Sequence, residues 1–156
     1  MIEISIPPSE KIVLKYLCLD LNGTLSFDGR LIDGVPERLD KLKDLLDIRV
    51  ITADTFGNAA NLLRDLPLST AIIGRENQGE EKRQLIRKLG AENVVSLGNG
   101  HNDRFMLKES ALSIAVIGRE GAATSAWRAA RITVPSILDG LDLLLYPDRL
   151  RATLRD

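Results

Sequence analysis

Apolar residues fall along this chain in short runs of two alternating kinds. Residues 12–19 (IVLKYLCL) form a nearly continuous apolar stretch, the pattern of a strand covered on both faces. Pro36 then opens a helix over 37–47, with Leu39, Leu42, Leu45 and Leu46 at helical spacing and the proline at a favoured first position. A strand over 48–52 follows, then a helix over 58–66 stopped by Pro67, a strand over 70–73 ended by Gly74, and a charged helix over 80–89 closed by Gly90. The remainder reads as strands over 94–97, 113–117 and 132–134, alternating with helices over 102–108, 122–130 and 137–145. Residues 1–6 add an edge strand ahead of Pro7 and Pro8.

Such alternation predicts an α/β fold: a Rossmann-like three-layer sandwich with a central, mostly parallel sheet. The 156 residues suit one domain spanning 1–156, with a core over about 11–146. A net charge of −1 provides no global field to attract nucleic acid or acidic lipid, and 4% aromatic content leaves few platforms for stacked bases. Cys18 stands alone, which excludes an intrachain disulfide. No apolar run approaches the ~20 residues of a membrane span, and the amino end, with Glu3, lacks a signal-peptide core. The expectation is a cytoplasmic protein with neither a membrane nor a nucleic-acid partner.

Parallel sheets bind ligands at the carboxyl ends of their strands, so chemistry is expected just after the apolar runs. Asp20-Leu21-Asn22-Gly23-Thr24 follows the first, Ile51-Thr52-Ala53-Asp54 ends the second, and Gly98-Asn99-Gly100-His101-Asn102-Asp103 follows the run at 94–97. Each has a plainer explanation. The first suits a turn, Thr52 suits a helix cap, and the last suits a loop with an N-cap. Lys82, among Glu80, Glu81, Arg83, Arg87 and Lys88, suits a solvated charged face.

Taken together and in this order, the Asp20, Thr52, Lys82 and Asn99–Asp103 sites resemble the four motifs of the haloacid dehalogenase-like hydrolase superfamily, over about 11–145. Within it the likeness is to a soluble, free-standing form of the P-type ATPase phosphorylation domain. Only 31 residues separate Asp20 from Thr52, so no nucleotide-binding domain fits between them and ion transport by this chain alone is excluded. The resemblance implies a covalent route, in which Asp20 attacks phosphorus and becomes an aspartyl-phosphate. It implies that Gly23, Thr52, Ala53 and Lys82 hold the phosphoryl group, with Thr24 and Asn102 in support. Mg²⁺ is assigned to Asp20, the backbone carbonyl of Asn22, Asn99 and Asp103.

Two departures from the family pattern bear on activity. Asn22 stands where many of these phosphatases have a second aspartate as general acid/base, a function typically worth about 10²–10⁴ in rate. Transport ATPases also lack an acid there, so the site is not thereby dead. Asn99 stands in place of a metal-ligating aspartate, which removes one negative charge; Asp103 is left to bind through water or to hold Lys82.

Residues 25–35 resemble a β-hairpin flap with Asp28-Gly29 at its turn, and no segment is long enough for a cap domain. Capless relatives such as sugar-acid phosphatases often shield their sites by oligomerising, which allows a homo-oligomer here without requiring one. The leading expectation is a Mg²⁺-dependent phosphohydrolase acting slowly on a small phosphorylated substrate. The alternative is a catalytically impaired phosphate- or partner-binding module of the same fold. A hydrolase acting on carbon suits Thr52, Lys82 and the 98–103 loop less well. No chemical role is assigned to His101 (a loop side chain), Cys18 (a buried structural thiol), Trp127 (packed on its helix) or Arg149, Arg151 and Arg155 (a solvated tail).

Overall fold

The computed structural model describes residues 1–54 and 57–156. The apolar stretch at 12–19 proves to be parts of two strands. Lys15 is exposed, and its backbone turns aside to accept from the Asp47 amide at 2.9 Å and donate to the Asn93 carbonyl at 2.8 Å. Before it, β1 (Ile2–Ile6) and β2 (Glu10–Leu14) pair antiparallel as a separate hairpin. After it, β3 (Tyr16–Leu19) enters the central sheet, where its last three residues are fully buried.

The chain continues through the small hairpin β4 (Ser26–Phe27) and β5 (Arg30–Leu31), with Asp28 and Gly29 at the turn as expected. It then forms α1 (Val35–Leu42), β6 (Asp47–Thr52), α2 (Ala59–Leu63), β7 (Ser69–Ile72) and α3 (Gln78–Leu89). Next come β8 (Val94–Gly98), a 3₁₀ turn at His101–Asp103, α4 (Arg104–Glu109), β9 (Leu112–Val116) and α5 (Thr124–Ala129). The last elements are β10 (Ile132–Val134), α6 (Ile137–Leu145) and α7 (Pro147–Leu154).

Six strands form the central sheet in the order β10-β9-β8-β3-β6-β7, with every pairing parallel. Two apolar layers cover it. One holds Leu39 and Leu42 of α1 with Leu141 and Leu144 of α6; the other holds Ile86 of α3, Met106 and Leu107 of α4 and Ala126 of α5. This is the three-layer α/β sandwich that the alternation predicts. The chain steps from β3 to one side through β6 and β7, then returns to lay β8, β9 and β10 on the other. The direction of winding therefore reverses between β3 and β8, where open parallel sheets form a ligand crevice beyond their strand ends.

One local boundary is corrected. Helix α1 stops at Leu42, five residues before the expected limit of 47, and Leu45 and Leu46 instead form the turn into β6. The tail expected to be solvated does expose Arg149, Arg151 and Arg155, but it is helical as α7, with Leu150 buried in the core and Arg151 Nε donating to the Ser5 carbonyl at 3.1 Å. Trp127, on α5, is 58% exposed. Among the described residues no helix is long and apolar enough to cross a membrane.

Candidate active site

Asp20 is placed by the sheet itself. Its amide donates to the Leu97 carbonyl at 3.0 Å, which ties the first residue after β3 to the end of β8. The chain then turns sharply through Gly23, at φ 82°, with the Gly23 amide donating to Ser26 O at 2.8 Å. A Cβ on Gly23 would meet the Asn99 side-chain nitrogen at 2.6 Å, so only glycine fits both the turn and the approach. Thr24 is buried by this turn, and its hydroxyl lies 3.5 Å from Asp20 Oδ2 and 3.3 Å from Asn99 Oδ1.

Lys82, on α3, is completely buried, contrary to the solvated face that its charged neighbours favour. Its Nζ donates to Asp20 Oδ1 and to Asp103 Oδ1, each at 2.6 Å. A buried charge is tolerated only when paired and hydrogen-bonded, and here one ammonium bridges two carboxylates. The other oxygen of Asp103 accepts from the amides of Asn99, at 3.0 Å, and Gly100, at 2.8 Å. That return is possible because Gly98 has no side chain: a Cβ there would meet Asp103 Cγ at 2.5 Å. Both oxygens of Asp103 are thus committed to Lys82 and to the loop.

Burial pushes the Asp20 carboxyl up to about 6, and the charge of Asp103 adds to it against the pull of Lys82. Burial works to lower the Lys82 ammonium, but its two carboxylates prevail and hold it above the ordinary lysine value. Lys82 is therefore a fixed cation. By contrast, burial pushes the Cys18 thiol up to about 12, as suits an inert core side chain.

The remaining candidates surround this centre. Thr52 ends β6, adjacent to β3, and is buried; its hydroxyl accepts from the Asp54 amide at 3.0 Å. Ala53 packs against the α3 side of the core. Asn22 is half-buried, with its Oδ1 3.5 Å from the Ser26 hydroxyl. Asn102 donates to Gln78 Oε1 at 2.8 Å and so joins the 98–103 loop to the start of α3. His101 is an exposed loop side chain whose Nδ1 lies 2.7 Å from the Ser125 hydroxyl. Hydrogen bonds thus join Asp20, Thr24, Lys82, Asn99 and Asp103 directly; Asn22 and Asn102 are their neighbours along the chain, and Thr52 stands on the strand paired with β3.

The 118–121 turn brings one further side chain to the site. Its Glu120 carboxylate lies 2.7 Å from where a Cβ on Gly23 would stand. The only local signal is a pair of glycines, Gly118 and Gly121, around a charged pair, which reads as an ordinary turn.

No protein-family model matches the chain. A curated relative, the uncharacterized protein MJ0073 of Methanocaldococcus jannaschii, is 42% identical over 91 residues, covering 54% of this chain and 98% of its own. Among solved structures, the magnesium-, phosphate- and KDO-bound 3-deoxy-D-manno-octulosonate 8-phosphate phosphatase of Moraxella catarrhalis is similar, with a TM-score of 0.69 and 19% identity over 90% of this chain and 92% of that one. The cobalt-bound deoxy-D-mannose-octulosonate 8-phosphate phosphatase of Haemophilus influenzae superposes with a TM-score of 0.71 and 15% identity, over 90% and 92% of the two chains. The chain belongs to the family of the Methanocaldococcus protein MJ0073 and has the fold of the haloacid dehalogenase-like hydrolases.

Proposed function

We propose that this protein is a phosphohydrolase that works through an aspartyl-phosphate on Asp20. The observation that carries the reading is the buried Lys82 ammonium, 2.6 Å from Asp20 and 2.6 Å from Asp103 at the reversal point of the sheet. A lysine fixed there neutralises a carboxylate nucleophile and a phosphoryl oxygen together, and charge stabilisation of this kind supplies most of phosphoryl-transfer catalysis. Asp103 does not enter the reaction; it anchors Lys82 from behind. The fold is shared with phosphatases that act on a phosphorylated sugar acid, which agrees with this chemistry.

The donors present suit Mg²⁺. Asp20 Oδ2 and Asn99 Oδ1 both lie within 3.5 Å of one hydroxyl, that of Thr24, and form an all-oxygen set of the kind hard cations require. Asp20, Asn99 and the Asn22 carbonyl would hold the ion, which would neutralise phosphoryl charge as it develops. The protein's own residues do the rest. Asp20 is aimed by the Asp20–Leu97 backbone bond, and Thr52 presents a buried hydroxyl one strand away. A cavity of about 980 Å³, opening beside Gly23 and Thr24 under the β4–β5 hairpin, would receive the rest of the substrate between Phe27, Arg30, Arg119 and Ser136.

The test is trapping of the phosphoenzyme. With Mg²⁺ and an aryl phosphate, intact mass should show one added phosphoryl group in the parent and none in Asp20→Asn, whose circular dichroism should remain native. Turnover by folded Asp20→Asn, free of contaminating phosphatase, would exclude Asp20 as nucleophile.

A further inference from the structure

We infer that Glu120 is the base that activates water in the second half of the reaction, in place of the carboxylate that Asn22 lacks. The inference rests on the aspartyl-phosphate reading above. Hydrolysing an acyl phosphate with ordinary water requires a group that removes a proton as the oxygen attacks. Asn22 has no such capacity, because an amide is neither acid nor base near neutral pH.

Three observations place Glu120 at this task. First, Glu120 and Asn22 line the same cavity, of about 440 Å³, together with Ser26, Asp28, Gly29 and Asn58. Second, Glu120 Oε2 reaches within 2.7 Å of the position a Gly23 Cβ would occupy, immediately beside the residue where the family acid/base is expected. Third, the turn carrying Glu120 is fastened to the site. Asn99 Nδ2 donates to the Gly121 carbonyl at 3.1 Å, and the Ala123 amide donates to Asn99 O at 2.8 Å. On its other flank Gly118, at φ 61°, lies close to the backbone of Gly23, where a Cβ would meet Gly23 O at 3.4 Å.

The two sequence departures are thereby related. An aspartate at 99 could not donate a hydrogen bond to Gly121; the asparagine holds the Glu120 turn through its nitrogen while its oxygen faces Thr24. Glu120 is exposed and has no ion-pair partner among the described residues, so its carboxylate is accessible to water.

The step balances. A water oxygen forms a bond to phosphorus, its proton passes to the Glu120 carboxylate, the P–O bond to Asp20 breaks, and Asp20 departs as carboxylate. Inorganic phosphate leaves, and Glu120 returns its proton to solvent. Water is the only co-reactant.

The experiment compares the parent with Glu120→Gln and Glu120→Asp, using p-nitrophenyl phosphate with Mg²⁺. Glu120→Gln should keep the initial nitrophenol burst, lose about 10²-fold in steady-state rate, and accumulate phosphoenzyme by intact mass, as loss of a general base alone requires. Glu120→Asp should recover part of that rate. A merely structural residue would weaken burst and steady state together. A parent-like steady-state rate and phosphoenzyme level in Glu120→Gln would overturn the inference and leave the role of Asp20 standing. Absence of phosphoenzyme and nitrophenol in the parent would overturn both.

Discussion

Lys82 and Asp20 stand 62 residues apart in sequence and 2.6 Å apart in space, joined by a hydrogen bond buried beneath the end of the central sheet. The contact spans two elements that share no local motif. It makes the site a structural as well as a chemical unit, because the ammonium compensates two carboxylates at once.

Removing Lys82 should therefore be costly to the fold. Lys82→Met leaves Asp20 and Asp103 buried without a counter-charge, a situation that typically costs about 3–5 kcal/mol. Urea unfolding of the variant against the parent measures this directly. A loss below about 1 kcal/mol would show that the carboxylates are hydrated or protonated without the lysine.

Asn99→Asp should act in opposite directions on metal and fold. An added negative charge strengthens an oxygen site for Mg²⁺, so calorimetric titration should give tighter binding than in the parent. The variant also loses the donor to Gly121, and the metal-free protein should lose about 1 kcal/mol in unfolding experiments. Equal or weaker Mg²⁺ binding by the variant would remove residue 99 from the ligand set.

The identity of residue 22 should set leaving-group preference. Asn22 cannot protonate a departing oxygen, which matters for sugar alkoxides and little for aryl phosphates, acyl phosphates or anhydrides. The rate of the first step should fall steeply as the leaving-group pKa rises. Asn22→Asp should flatten that slope and gain most on alkyl phosphates. A flat slope in the parent, unchanged by the aspartate, would point to another proton donor or to a limiting step outside the chemistry.

Arg38 and Asp142 supply a test remote from the site. The guanidinium of α1 grips the carboxylate of α6 through two bonds of 2.7 and 3.0 Å, with both side chains about one-quarter exposed. A double-mutant cycle should return a coupling of about 0.5–1 kcal/mol, the upper part of the range for partly solvated pairs. Arg38 holds the Asp142 carboxyl below its ordinary 3.8. The coupling should accordingly be full above that value and disappear as the pH falls through the lowered one. Coupling that persists in strong acid would mean packing, not charge, joins the two helices.

Much of this protein is determined locally, and that part could be read from the chain alone. The period of apolar positions distinguishes strand from helix within a few residues, so the α/β alternation and the hairpin turn at Asp28-Gly29 were visible without any tertiary contact. The placement of Asp20, Thr52 and Asn99 after apolar runs was visible for the same reason. What could not be read depends on which segments meet. The break at Lys15 is made by hydrogen bonds to Asp47 and Asn93, which are remote in sequence. The end of α1 at Leu42 leaves Leu45 and Leu46 with the same spacing they would have in a longer helix. Lys82 sits among five charged neighbours and has every local mark of a solvated residue; only two carboxylates arriving from other elements make its burial tolerable. Glu120 has no local mark beyond the two glycines of an ordinary turn. Its position depends on Asn99 reaching across to Gly121, and hydrogen bonds between distant segments leave no periodic trace in a sequence.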